Sequence, residues 1–261
     1  MKRALLHQTP AALRADDVCV SFRGTPVLNN LCVEGRPGEF IAILGPNGAG
    51  KTTMLRALAG LLDSAGSIEA TGAALRSMPS RARARAIAYL PQGGTILWPM
   101  TVREIVALGR LPHGDANRSG GREAVDRALS ECDLLDFQNR PVTELSGGER
   151  ARVVLARTLA VDAPILLADE PTAFLDPAHQ TSVMRLLALE AGRGRLVIAV
   201  LHDVALALRY ATRIVGLSGG RMAVDASPED FVEGGHLERL YGVRYEMAVM
   251  ASGRLTPVAE A

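Results

Sequence analysis

The stretch Phe40-Ile-Ala-Ile-Leu44-Gly45-Pro46-Asn47-Gly48-Ala49-Gly50-Lys51-Thr52-Thr53 decides the fold of this chain. It opens with an apolar run that shows no alternation, the pattern of a strand buried on both faces. The residues from Gly45 to Thr52 fit G-x-x-x-x-G-K-[ST], and a helical pattern follows over residues 51–62. Glycines let such a loop wrap a phosphate without Cβ clashes and turn its N–H groups inward. The following helix adds its positive N-terminal end. Lys51 is expected to reach the β- and γ-phosphates of a nucleoside triphosphate, and Thr52 to ligate Mg²⁺.

Outward from this loop, residues 18–22, 165–168, 196–201 and 214–217 read as further short strands. Residues 149–161, 178–190 and 204–210 read as helices between them. Strand alternating with helix predicts an α/β domain with a mostly parallel sheet. Residues 102–144 contain no convincing strand. Helical patterns at 102–108 and 122–135, separated by a polar loop at 112–121, predict a helical insert. The four arginines within residues 76–85 read as a solvated helix face.

Composition narrows the function classes. The 261 residues carry a formal net charge of +1 and only 4% aromatics, so neither a general nucleic-acid partner nor a base-stacking platform is expected. Cys19, Cys32 and Cys132 form no CxxC pair, which argues against a disulfide framework or a zinc site and for a reducing compartment. No apolar stretch is long enough to span a bilayer, and the N-terminal residues do not read as a secretory signal.

Two further motifs carry chemistry. Residues 164–170 read as a buried strand ending in Asp169 and Glu170. Successive strand residues face opposite ways, so the two acids aim differently at the ligand edge of a parallel sheet. Asp169 suits the outer sphere of Mg²⁺, and Glu170 suits polarising an attacking water. Leu145-Ser146-Gly147-Gly148-Glu149 opens a helix about 95 residues after Lys51 and forms a second helix-N-terminus anion site. One nucleotide needs one cradle, so two cradles in one chain point to a site shared between two copies.

The phosphate loop, residues 145–149, residues 165–170 and His202, in this order and spacing, resemble the ATP-binding subunit of an ABC transporter over about residues 14–245. The resemblance implies a P-loop NTPase, RecA-like α/β core with a mostly parallel sheet, an antiparallel β subdomain and an inserted helical subdomain. The whole of 1–261 would be one ABC ATPase domain: core at 14–92 and 146–240, helical subdomain at 93–145, short C-terminal extension at 241–261. Two such subunits in a homodimer would sandwich two ATP molecules head to tail. Gly45 to Thr53 would cradle one ATP, and Ser146, Gly147 and Gly148 would bind the γ-phosphate of the ATP held by the other copy. Gln92, in Tyr89-Leu-Pro-Gln92, would sense Mg²⁺ and the attacking water, and His202 would contact the γ-phosphate. Asp176 lies in the loop that touches the opposite subunit. Phe22 falls where the family places an aromatic against adenine, although it reads equally as core.

A nucleotide domain with no spanning segment resembles the separate-chain importers of prokaryotes. Residues 99–113, 202–210 and 240–243 resemble the subgroup that imports ferric siderophores, haem and cobalamin. This implies two integral-membrane permease subunits, a substrate-binding protein acting through them, and a peripheral position on the cytoplasmic face of the membrane. The coupling surface is expected at residues 92–109, with Trp98 either in a socket for a partner helix or in packing. An exporter with separate membrane subunits, or a soluble non-transport ABC ATPase, remains the alternative. Ala151, Ala168 and Thr212 depart from the usual family pattern.

Overall fold

A computed structural model describes residues 10–93, 99–173, 175–249 and 255–259, so Trp98 lies outside the described residues. At its centre is β3 (Phe40–Leu44), with every residue buried. It runs parallel to β8 (Leu196–Val200) on one side and β9 (Arg213–Ser218) on the other. β7 (Ile165–Asp169) and β6 (Ile87–Leu90) extend the parallel array, and β10 (Arg221–Ala226) closes the opposite edge antiparallel to β9. The order is therefore β10-β9-β3-β8-β7-β6.

Burial on both faces follows from two apolar layers. Phe40, Ala42 and Leu44 point into a core shared with α5 (Gly147–Ala160), α6 (Pro177–Gly192) and α7 (Val204–Tyr210). Ile41 and Ile43 point the other way, onto α1 (Lys51–Leu58) and an antiparallel sheet. That second sheet has the order β2-β1-β4-β5, from β1 (Leu13–Phe22), β2 (Thr25–Gly35), β4 (Ala65–Ala70) and β5 (Ala73–Ala74). Each fully buried Ile or Leu contributes roughly 1.5–3 kcal/mol, so the centre of the molecule fixes the strand from which the phosphate loop springs. Helix α1 stops at Leu58 rather than at residue 62, because Gly60 adopts a left-handed φ of 66° that turns the chain away.

The middle of the chain is helical, as its pattern predicts. Helices α3 (Val102–Ala107) and α4 (Ser119–Glu131) bury Val102, Ile105, Val106, Val125 and Leu129 against Val153 and Val154 of α5. Thr101 and Glu104 form a reciprocal capping box that starts α3. Beyond α3, Arg110 Nη1 donates to the carbonyls of Ala160 (2.9 Å) and Val161 (3.2 Å), capping the end of α5. Its remaining donors grip Asp115 as a fork, at 3.0 and 2.8 Å. Gly109 permits this closeness: a Cβ there would stand 2.2 Å from the carbonyl oxygen of Arg157.

One feature differs from the sequence expectation. The arginines of residues 76–85 do more than solvate a face of α2 (Ser80–Ala86). Arg81 and Arg85 both donate to the carbonyl of Pro112, at 2.7 and 2.8 Å, tying α2 to the helical segment. The described residues toward the C-terminus form two short helices and a hairpin. After α8 (Pro228–Glu233) and α9 (His236–Tyr241), β11 (Tyr245–Val249) pairs antiparallel with β12 (Leu255–Ala259), which lies beside α7. The departure at Thr212 has a local reason: its hydroxyl accepts from Phe40 N at 2.9 Å and donates to Phe40 O at 3.2 Å, anchoring the start of β3.

Candidate nucleotide site

The loop from Gly45 to Gly50 leaves the buried end of β3 and feeds α1. Gly45, Gly48 and Gly50 all have φ in the left-handed region, at 150°, 78° and 98°. A Cβ on Gly45 would strike the carbonyl oxygen of Leu217 at 2.2 Å, so the turn admits only glycine. Lys51 begins α1 with just 7% of its surface exposed. Its Nζ donates to the carbonyls of Gly45 (2.7 Å) and Pro46 (3.0 Å), within the curl of the loop. Burial pushes the Lys51 ammonium down from its ordinary pKa, while the nearby carboxylates of Glu170 and Asp169 pull it back up. A cation held this way is positioned to receive phosphate charge.

Across the loop stands the carboxyl end of β7. Asp169 is fully buried, and its oxygens accept from Thr52 Oγ1 at 3.0 Å and Tyr89 Oη at 3.1 Å. Desolvation pushes its pKa up, and the two hydroxyl donors oppose that shift. The chain then turns sharply: Glu170 adopts a left-handed φ of 51°, a conformation costing an L-residue roughly 1–2 kcal/mol. The strained backbone aims Glu170 away from Asp169 and into the cleft. There its two oxygens face different partners, Gln92 Nε2 at 2.6 Å and His202 Nε2 at 2.6 Å. His202 follows the buried strand β8, and Asp203 caps the next helix by accepting from Leu206 N.

Phe22, Asn47 to Thr53, Glu170 and His202 line one open cleft of about 350 Å³. Phe22 is 47% exposed at its rim and is not part of the buried core. Lys51, Thr52, Asp169, Glu170, Gln92 and His202 are thus brought together by the fold. Thr52, Asp169 and Gln92 present hard oxygen donors, the chemistry Mg²⁺ prefers.

The second anion motif lies elsewhere. Neither Ser146, Gly147 and Gly148 nor Asp176 lines this cleft. Ser146 caps α5 in a capping box: its Oγ accepts from Glu149 N at 3.3 Å, and Glu149 Oε2 accepts from Ser146 N at 2.7 Å. A Cβ on Gly147 would meet nothing within 4 Å, so packing inside the chain does not call for glycine there. Asp176 caps α6, accepting from His179 N at 2.9 Å and facing His179 Nδ1 at 2.7 Å. These backbone and ring donors hold its carboxyl below the usual range.

The sequence reading assigned no role to Tyr89, which supports Asp169, or to Tyr241, whose hydroxyl accepts from Gly45 N at 3.2 Å. Tyr89 stands in the stretch before Gln92, on the strand that pairs with β7, and no local sequence pattern links it to Asp169.

A glycine-rich loop between a buried parallel strand and a helix, with a lysine in its curl and an aspartate paired to its threonine, defines a P-loop NTPase. Its particular lineage follows from comparison with known proteins. The profile of the ABC transporter family matches residues 28–173. The hemin import ATP-binding protein HmuV of Rhodococcus jostii is 44% identical over 232 residues, covering 88% of this chain and 80% of that protein. The cobalamin import ATP-binding protein BtuD of Halobacterium salinarum is 41% identical over 214 residues, covering 80% of this chain and 53% of that protein. Among solved structures, the dimeric post-hydrolysis state of the ATP-binding cassette MJ0796, bound to ADP and Pi, superposes with a TM-score of 0.73 at 29% identity. It covers 83% of this chain and 98% of that one. The chain belongs to the ABC transporter family and is one of its ATP-binding, ATP-hydrolysing members.

Proposed function

We propose that this chain powers an ABC importer for haem or a related metal chelate, working as a homodimer docked on two membrane permease subunits. The observation that carries the catalytic part is Glu170, held at 2.6 Å by both Gln92 and His202 beside the phosphate loop. Both oxygens of this carboxylate are oriented, so it presents a fixed basic edge to a water attacking the γ-phosphate. Such positioned base catalysis contributes roughly 10²–10⁴ in rate. Lys51 and the loop amides offset charge that develops on the transferring phosphoryl group. Mg²⁺ bound with the nucleotide would neutralise phosphate charge, held on the protein side by Thr52, Asp169 and Gln92. Phe22 stacks on the adenine.

Ser146, Gly147 and Gly148 complete the site of the opposite copy. The bare surface at Gly147 supports this reading, because glycine there leaves the helix N-terminus open to an incoming phosphate. Asp176 contributes at the same face. ATP then bridges two copies, and its hydrolysis removes the bridge, giving the two-state element that drives alternating access. We divide the chain into core (14–92, 146–240), helical subdomain (93–145) and extension (241–261), and place the permease contact at residues 92–109 as a proposal.

Among the described residues no helix is long and apolar enough to cross a membrane, which agrees with a peripheral ATPase held at the cytoplasmic face by its permease. A substrate-binding protein would deliver cargo on the far side. The relatives named for hemin and cobalamin import support the importer reading over export, and haem stands first among cargoes.

The test is uptake of labelled haem, ferric siderophore and cobalamin by cells lacking this gene, complemented with wild type or Glu170→Gln. Loss of haem uptake restored only by wild type is the expected result. Undiminished uptake of all three would overturn the importer reading.

A further inference from the structure

The root of the phosphate loop is gripped by parts of the chain far away in sequence. Gly45 is buried where it leaves β3, and Leu217 of β9 closes against it. In the turn after β9, Gly220 N donates to Ala49 O at 3.2 Å. The remaining contact comes from a side chain of the C-terminal region. Gly45 N donates to the phenolic oxygen of Tyr241 at 3.2 Å, across 196 positions of sequence. A buried backbone N–H needs a partner, and Gly45 sits just past the last β3 position paired with β9. Tyr241 supplies that partner.

The geometry around Tyr241 is built to hold it. It is the last residue of α9, which Gly242 ends with a left-handed φ of 70°. Its neighbour Leu240 is buried against Gly216 of β9, where a Cβ would stand 3.3 Å from Leu240 Cδ2. The ring of Tyr245 meets that of Tyr241 edge-on at 6.4 Å. Tyr245 opens the hairpin whose second strand lies beside α7, the helix that begins just after His202. One C-terminal unit therefore touches the entry to the phosphate loop and the helix behind the candidate γ-phosphate histidine. Burial pushes the Tyr241 phenol up from its ordinary value.

We infer that Tyr241 is a positioning residue of the nucleotide site: its hydroxyl fixes the entry of the phosphate loop, so that the C-terminal segment sets nucleotide affinity. The inference rests on the reading of Gly45 to Thr53 as the nucleotide cradle. Tyr241 does not line the cleft. It acts through the backbone of Gly45, and its effect belongs to binding rather than to the chemical step.

Tyr241→Phe keeps the ring and removes only the hydroxyl. ATP affinity, steady-state ATPase, thermal stability and amide exchange over residues 40–54 are measured on the full-length chain, with Lys51→Ala in parallel. The expected result is a rise in Kd for ATP of about three- to tenfold, because an unpinned loop must be ordered when ATP binds, with kcat within about twofold of wild type. Exchange at residues 40–54 quickens, and the melting temperature falls by about a few degrees, because the buried Gly45 N–H is left without its partner. Unchanged Kd and unchanged exchange, with or without a drop in stability, would reduce Tyr241 to packing and overturn the inference. If Lys51→Ala loses ATP and Tyr241→Phe matches wild type, only this inference falls. If Lys51→Ala binds ATP normally, the cradle reading falls and takes the inference with it.

Discussion

Thr52 Oγ1 lies 3.0 Å from Oδ1 of Asp169, joining the first turn of α1 to the end of β7 inside the molecule. Asp169 is fully buried, and burial raises its pKa above the ordinary carboxylate value. A raised folded-state value means that folding favours the protonated form. That contribution is complete below the unfolded value of about 3.9 and is lost as pH rises through the raised one. At neutral pH the charge is therefore a cost to the empty fold. Asp169→Asn should raise the melting temperature at pH 7, with the advantage fading below about pH 4. The same substitution should lower ATPase activity by about tenfold or more, since it weakens the group that orients Thr52 toward the cation. Thermal scans at the two pH values, beside a phosphate-release assay, check both parts.

Glu170→Gln should separate binding from hydrolysis. The amide keeps the size and one acceptor oxygen but cannot take a proton, so kcat should fall by roughly 10²–10⁴ while ATP still binds. With ATP and Mg²⁺ the variant should accumulate as a dimer, because the bridging nucleotide is no longer removed. A monomer in size-exclusion chromatography under those conditions would count heavily against a site shared by two copies.

How much of this was legible in the sequence depends on how local each feature is. The phosphate loop is written in consecutive residues, strand then glycines then helix, and the structure reproduces it at Phe40–Leu44 and Lys51–Leu58. The meeting of Glu170 with Gln92 and His202 was anticipated only through the family resemblance, since no local pattern joins positions 78 and 32 residues apart. Tyr89 and Tyr241 were missed for the same reason. The antiparallel sheet was only partly visible because β1 and β2 are irregular. Asp17 and Asn30 take left-handed φ values of 50° and 47°, and the pairing shifts register between Ala15 and Val18, which breaks the period-two alternation a strand reading needs.

Gly147→Ala tests whether the second anion motif serves another copy. Inside this chain the added methyl meets nothing within 4 Å, and alanine favours a helix over glycine. The folded monomer should be as stable as wild type or slightly more so. If Ser146 to Gly148 complete the other copy's site as proposed, ATP-driven dimerisation should weaken and ATPase activity fall by about tenfold or more, because the methyl would crowd the incoming phosphate. Retained activity with unchanged stability would assign Gly147 no part in the site.

Arg110 presents the converse case, a residue remote from the cleft whose loss should be felt first in stability. It is only 5% exposed, forks onto Asp115, and caps α5 through the carbonyls of Ala160 and Val161. Arg110→Ala strips the cap and leaves a partly buried carboxylate without its partner, a loss of about 3 kcal/mol for a pair of this kind. Arg110→Lys keeps the charge but cannot form the fork, and should recover only part of that loss. Because α5 begins at the Ser146 cap, a helix loosened at its far end also presents Gly147 and Gly148 less rigidly. ATPase activity of Arg110→Ala should therefore drop more than its affinity for ATP at the phosphate loop. Urea unfolding measures the first effect, and the ratio of kcat to KM changes measures the second. A stability loss below about 0.5 kcal/mol would show that the cap is dispensable, since that is the scale of ordinary surface substitutions.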